Sequence, residues 1–103
     1  MKFMIHFVVT EAAGARIEAA QGGPAPLISY MVDRFKPQAA FVSPARREGW
    51  MIANFDEQRL AEAMIFISNR FGNYPEVTPV LSLEDFPKVI SPALEAVAKS
   101  PKV

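Results

Sequence analysis

Three side chains at strand-like spacing are the residues of this chain best suited to chemistry. His6 is the single histidine among 103 residues, and it lies in the apolar run from Lys2 to Val9. Trp50 and Asn54 are four residues apart in another apolar run, with Ile52 midway between them. Because alternate residues of a strand share a face, a strand presents Trp50, Ile52 and Asn54 on the same side. An imidazole on that face could act as a general acid or base near neutral pH. The alternative for His6 is a buried neutral imidazole that is satisfied by a neighbouring side chain or by water. The alternative for the other two residues is that Trp50 is an aromatic of the dimer core and Asn54 only ends the strand.

A second polar pair lies on the last predicted strand. Glu76 and Thr78 alternate along the chain and therefore share a face. A carboxylate there could take a proton from a carbon acid, as an isomerase needs. The alternative is that Glu76 lies in solvent, and no second carboxylate is spaced to pair with it. Arg46 and Arg47 could bind an anion, or they could keep a hairpin tip soluble.

Residue counts exclude several classes of site. The chain has no cysteine and one histidine, which excludes disulfides, thiolate catalysis and zinc–sulfur sites. Its acidic residues are scattered, so we predict no metal site. Gly22-Gly23 lacks the pattern of a phosphate-binding loop and does not follow a strand. We therefore predict that the protein uses no cofactor.

The charge balance argues against a nucleic-acid partner, because 11 basic residues face 11 acidic ones. Residues 48–55 weakly resemble the third-strand motif of RNA-recognition modules. However, Glu48 stands where a basic residue belongs, and Ile52 where a stacking aromatic belongs. No apolar run approaches the ~20 residues of a membrane span, and the first ten residues lack a signal-peptide cleavage site. We predict no membrane partner and a cytoplasmic location.

Hydrophobic periodicity predicts four strands and at least three helices. The predicted strands are Lys2 to Val9, Gln38 to Ser43, Gly49 to Phe55 and Tyr74 to Leu81, with a turn over 44–48. The predicted helices are Glu11 to Gln21, Leu27 to Lys36 and Glu57 to Phe71, followed by a helical segment from Ser82. Pro75 and Pro79 place the last strand at an edge, because proline cannot donate to a ladder. Ser91-Pro92 predicts a second helix start.

This order is that of a ferredoxin-like β-α-β-β-α-β domain with a C-terminal helix. We predict one α+β domain over residues 1–103, with a four-stranded antiparallel sheet covered by helices on one face. The other face carries Met4, Val8, Trp50, Ile52 and Val80. A large apolar patch in water is rare unless it is an interaction surface. A second copy packed face to face would bury it, so the predicted partner is the chain itself.

Short segments of the chain resemble the dimeric α+β barrel superfamily. They are the opening Met1-Lys2-Phe3-Met4, the helix after the central hairpin, and Glu76-Val77-Thr78-Pro79-Val80 followed by an acidic helix. Within that superfamily, the chain resembles small uncharacterised proteins related to the muconolactone-isomerase-like and antibiotic-biosynthesis-monooxygenase-like branches. The resemblance implies a homodimer whose two sheets enclose a cavity, and a small organic ligand in some relatives. A lining of Trp, Asn and His resembles the pockets of cofactor-free monooxygenases that act on aromatic polyketides.

Two hypotheses follow from the residues and the resemblance. The first is a homodimeric barrel that binds a small apolar organic molecule, as a cofactor-independent monooxygenase or isomerase. It assigns His6 and Asn54 to catalysis, and it assigns ligand binding to Met4, Val8, Trp50, Ile52 and Thr78. The second is a non-catalytic ligand-sensing or assembly dimer whose side chains fill the same face. A third possibility, RNA binding, predicts a monomer with an open, solvated sheet.

Overall fold

The computed structural model describes residues 1–102, which form four strands and four helices of an α+β fold. The strands are β1 (Lys2–Val8), β2 (Ala39–Val42), β3 (Glu48–Asn54) and β4 (Glu76–Pro79). The helices are α1 (Glu11–Ala19), α2 (Ala25–Phe35), α3 (Glu57–Phe71) and α4 (Phe86–Ala98). The predicted fold class is confirmed.

The sheet has the order β2-β3-β1-β4, and every neighbouring pair is antiparallel. Strand β3 lies between β1 and β2, and β1 lies between β3 and β4, so each β-α-β unit is split by one strand as predicted. The proline-bearing strand β4 lies at an edge, which confirms that prediction. Beyond β4, the amide of Val80 still donates to the carbonyl of Lys2 at 3.0 Å.

One face of the sheet packs on α2 and α3 and forms the hydrophobic core. Alternation along β1 and β3 points one set of side chains to the helices and the other set to the open face. The buried core residues are Ile5, Phe7, Met51 and Ala53 of the sheet, Phe55 after β3, Met31 and Phe35 of α2, and Ala63, Ile67 and Phe71 of α3. The second set, which includes His6 and Trp50, therefore has no helix of the core above it.

The connection between β1 and β2 is a helix broken in two, as the glycine–proline run predicts. The Thr10 side chain accepts a hydrogen bond from the amide of Ala13 and caps α1. The chain then turns through Gly22 and Gly23, whose φ angles of 84° and 60° favour glycine. Pro26 lies in the first turn of α2, where its missing N–H has no helical partner to lose.

Several predicted boundaries differ from the structure, and three of the differences matter here. Strand β3 begins at Glu48, a residue assigned to the turn, because Glu48 pairs with Val8 and extends the ladder. Strand β4 is four residues long instead of eight, and it starts after Pro75 and ends at Pro79. Pro92 lies inside one continuous helix α4 and does not start a second one.

Helix α4 extends away from the body of the fold. None of its residues is buried, and the molecule measures 58 × 29 × 27 Å. Among residues 1–102, no helix has both the length and the apolar character that crossing a membrane requires.

Candidate functional site

Two central strands bring most of the predicted site residues together on the open face of the sheet. In the β1–β3 ladder, His6 lies opposite Trp50 and Met4 lies opposite Ile52. In the β1–β4 ladder, Thr78 lies opposite Met4. Val8 is on the same face, one pleat beyond His6, because alternate residues of a strand share a face.

Asn54 lies apart from this group. It pairs with Lys2 at the far end of β3 and is exposed. Four residues of strand separate it from Trp50, which is about 13 Å along the sheet. The structure therefore does not bring the Asn54 amide to the imidazole of His6.

His6 stacks on Trp50. The two ring centroids are 5.0 Å apart and the ring planes are inclined by 13°. The pair sits on adjacent central strands, so both ladders of β1 and β3 hold the backbone beneath it. The indole therefore supports one face of the imidazole and limits its rotation.

Glu48 fixes the imidazole from the edge. Its Oε2 lies 3.0 Å from Nε2 of His6, and the two side chains are only 18% and 26% exposed. Since an ionised carboxylate only accepts hydrogen bonds, Nε2 is the protonated nitrogen in this pair. In the neutral ring, Nδ1 then keeps its lone pair and can accept a proton.

A second carboxylate faces the other ring nitrogen. Glu76 lies opposite His6 in the β1–β4 ladder, and its Oε2 is 3.9 Å from Nδ1. Its side chain is 86% exposed, so it is free to move aside for a ligand. Glu48 and Glu76 thus contact opposite nitrogens of one imidazole, although their positions in the sequence do not suggest a pair.

Sequence reasoning missed two members of this surface. Glu48 was assigned to the turn, although its even spacing from Trp50 would have placed it on the open face. Phe41 of β2 lies opposite Trp50 and is 67% exposed. We define the open-face cluster by its shared position on this side of the sheet: Met4, His6, Val8, Phe41, Glu48, Trp50, Ile52, Glu76 and Thr78.

A separate cleft lies on the helix side of the sheet. It has a volume of about 510 Å³ and lies between α1, α2 and the turn that joins β2 to β3. Phe7, Met31 and Phe71 form part of its wall, whereas His6 and Trp50 do not line it. Arg47 closes one side, since its Nε lies 2.9 Å from Oε2 of Glu18. Glu48, whose carboxylate contacts His6, also lines the cleft, so the cleft and the imidazole site share this residue.

The open-face cluster has the composition of a proton-transfer site. It contains an oriented imidazole, two flanking carboxylates and the stacked indole of Trp50, with aliphatic side chains around them. Residues 1–102 contain no group of three or more His, Cys, Asp or Glu side chains arranged to hold a metal ion. An imidazole between two carboxylates can perform acid–base chemistry.

Comparisons with known proteins give a family without an assigned activity. Residues 1–94 match the family DUF3303, described as a domain of unknown function. Neither the search of curated proteins nor the search of solved structures found a match. The match covers the whole sheet, the open-face cluster and most of α4. This chain therefore belongs to the DUF3303 family.

Proposed function

We propose that the protein is a homodimer whose open sheet faces pack together around a small, planar, largely apolar organic molecule, which His6 deprotonates. The observation that carries the proposal is the pair of contacts on His6. Its ring is stacked on Trp50 and hydrogen bonded to Glu48 on a face whose other side chains are mainly apolar. A histidine held in one orientation and one tautomer is what a general base requires.

The apolar part of the open face supports the dimer. Met4, Val8 and Phe41 are exposed hydrophobic side chains, and Trp50 and Ile52 are only half-buried. Leaving this surface in water is unfavourable, by about 25 cal/mol for each Å² of apolar area. Two antiparallel sheets commonly pack face to face at a spacing of ~10 Å, with their side chains interdigitating. A closed two-fold dimer buries the same face on both copies.

The position of His6 supports a site inside that dimer. Strands β1 and β3 are the two central strands, so the His6–Trp50 pair lies near the middle of the proposed interface. Water would be largely excluded there, which strengthens hydrogen bonds and charge interactions. A ligand between the sheets would meet an indole surface and aliphatic walls.

The chemistry follows from the two nitrogens of His6. Nε2 donates to Glu48, so Nδ1 takes the proton from an acidic O–H or an activated C–H of the ligand. The resulting imidazolium lies between the carboxylates of Glu48 and Glu76, which stabilise its charge. Such a step begins an isomerisation and also begins oxygenation without a cofactor. Glu48 is a positioning residue, because it acts through His6.

The test measures proton transfer directly and uses the aryl ketone 1-indanone as probe. The full-length protein is incubated with it in D₂O, and loss of the α-proton signal is followed by NMR. We expect catalysed exchange in the wild type and a fall of about 100-fold or more in His6→Gln, the range of general-base catalysis. Glu48→Gln should also slow exchange, whereas Glu57→Gln, a matched change at the start of α3, should not.

The fluorescence of Trp50 measures ligand binding independently of exchange, because Trp50 is the single tryptophan of the chain. Binding of 1-indanone should change its fluorescence in the wild type and in Glu57→Gln. Thermal unfolding of His6→Gln should shift by less than about 3 °C, as expected for a partly exposed residue without a structural role. Binding without exchange would favour the non-catalytic ligand-sensing dimer. Equal exchange in the wild type and His6→Gln would contradict the proposed base.

A further inference from the structure

Helix α4 is an amphipathic helix without a buried side. Its apolar stripe consists of Phe86, Val89, Ile90, Ala93, Leu94 and Val97. Leu94 and Val97 of this stripe are 65% and 67% exposed. Lys88, Ser91 and Glu95 lie on the opposite side at helical spacing. The stripe is therefore built to pack on another surface.

Packing is what a helix like α4 requires in order to form. It has 13 residues, and isolated helices of about this length are marginal in water. Pro92 lies in its interior, where it removes a backbone hydrogen bond and disfavours the helix further. Most helical stability in proteins comes from burying an apolar face. A partner surface for α4 is therefore expected within the native assembly.

A second exposed apolar surface lies at the other edge of the sheet. Strand β2 is the edge strand opposite β4, and α2 lies beside it. We call this surface the α2–β2 edge and define it by Ile28, Val32, Pro37, Phe41 and Val42. These five residues line a small groove of about 40 Å³, all of whose lining residues are apolar. An uncovered edge strand carrying apolar side chains is a liability that proteins commonly cover with a helix.

The symmetry of the proposed dimer brings these two surfaces together. When two open faces meet about a two-fold axis parallel to the strands, the β4 edge of one copy lies beside the β2 edge of the other. Helix α4 follows β4 after a short connection over 80–85. In this dimer, α4 of each copy would lie beside the α2–β2 edge of the other copy.

The areas also favour this arrangement. Strands β1 and β3 have seven residues each and β2 and β4 have four, which is about 23 Å and about 13 Å of strand. At a spacing of ~4.8 Å, the four strands give an open face of roughly 350 Å². A stable interface typically needs about 800 Å² from each partner. The helix is about 20 Å long and roughly 10 Å wide, and it adds on the order of 200 Å² of footprint. The sheet face alone falls short of the usual area, and α4 supplies part of the difference.

We infer that α4 is exchanged between two copies of this chain and packs its apolar stripe on the partner's α2–β2 edge. The inference rests on the proposed homodimer, since the two-fold pairing of open faces positions the helix. Family membership agrees with α4 being part of the domain, because the matched region runs to residue 94.

Engineered cysteines test the exchange, because the chain has none of its own. Val32→Cys on a tagged chain and Val97→Cys on an untagged chain are co-expressed, purified and oxidised. We expect a mixed disulfide that joins the two chains. Ser91→Cys, on the polar side of α4, is the matched control and should give roughly tenfold less mixed disulfide when paired with Val32→Cys, since it faces away from the partner.

The outcomes separate the exchange from the dimer itself. A sedimentation mass of two chains without the mixed disulfide would overturn the exchange and leave the proposed dimer standing. A disulfide between two Val97→Cys chains in its place would mean that α4 pairs with its own counterpart, which also overturns the exchange. A mass of one chain would overturn both. Leu94→Asp should weaken the dimer about tenfold or more if α4 is buried there, and Ser91→Asp should not.

Discussion

Glu48 and His6 act as one unit at the scale of single residues. The carboxylate holds Nε2 of the imidazole at 3.0 Å and so decides which nitrogen faces a ligand. Trp50 holds the ring plane from below. Removing the carboxylate leaves the imidazole in place, but neither its tautomer nor its ring orientation is then fixed by a hydrogen bond. The effects of changing Glu48 and His6 should therefore be less than additive.

Gly49 makes the close approach of three strands possible. A Cβ atom at this buried position would lie 2.5 Å from Cζ of Phe7 and 2.8 Å from the backbone oxygen of Phe41. We expect Gly49→Ala to lower the free energy of unfolding by ~1–3 kcal/mol through overpacking. Urea denaturation would measure this loss.

Gly23→Ala separates this steric effect from backbone strain. Gly23 has a φ of 60°, and its added methyl would have no atom within 4 Å. Strain alone should then cost ~1 kcal/mol. A Gly49→Ala protein as stable as the wild type would contradict the close packing of Phe7 and Phe41 against Gly49.

Part of the site could be predicted from the residues themselves. Alternation along two strands was enough to place Met4, His6, Trp50 and Ile52 on one face, because strand periodicity depends only on the backbone. The contact of Glu48 with His6 was not predictable in the same way. It depends on the β1–β3 register and on where β3 begins, and neither is encoded in local spacing.

At the scale of elements, α3 is held to the sheet by a narrow apolar stripe. Ile67 is fully buried in the core, whereas Ile65 of the same helix is 55% exposed. We expect Ile67→Ala to cost ~2–5 kcal/mol of unfolding free energy, as cavity-forming changes do. Ile65→Ala removes the same atoms from the outer side and should cost less than about 1 kcal/mol. Equal losses in urea denaturation would mean that the helix faces are wrongly assigned.

A paired hydrogen bond links α2 to α3. Nε and Nη2 of Arg34 lie 2.7 and 2.8 Å from the two carboxylate oxygens of Glu62. The hydrogen bond from Arg34 lowers the pKa of Glu62 from its usual 4.5. Because the folded-state pKa lies below the unfolded value, the pair stabilises the fold above about pH 4.5. That contribution is lost as the pH falls through the lowered pKa.

Glu62→Gln should therefore be less stable than the wild type at neutral pH. The difference should shrink on acidification from neutral to acid pH, because the wild-type carboxylate is protonated as the pH falls through its lowered pKa. Glu84→Gln is the control, since Glu84 forms no ion pair among the described residues. Urea denaturation at both pH values measures the effect. A difference that stays constant or grows on acidification would contradict the assigned role of the Arg34–Glu62 pair.

The elements themselves were largely predictable, and their ends were not. Hydrophobic periodicity located all four strands and the helices up to Phe71. Pro79 correctly indicated an edge strand, because a proline cannot pair on both sides. The second helix start predicted at Ser91-Pro92 is wrong, because a proline is tolerated inside a helix when the packing of that helix compensates for the lost hydrogen bond. Local sequence carries no record of that tertiary contact.

At the scale of the whole molecule, two exposed apolar surfaces are the dominant feature. The open-face cluster and the stripe of α4 both lack a partner within the described chain. The amphipathic patterns of both could be detected in the sequence. The projection of α4 away from the fold could not, because it depends on which surface is available to receive the helix.

Sedimentation equilibrium of the 103-residue chain measures whether two open faces pair. We expect a species of twice the chain mass of 11.4 kDa, which Phe41→Asp converts to single chains and Ile65→Asp, on the outer side of α3, does not. In the Phe41→Asp protein, Trp50 should move from an apolar environment to water, with a red-shifted emission. A wild-type protein that sediments as single chains with water-exposed Trp50 would contradict the proposed homodimer.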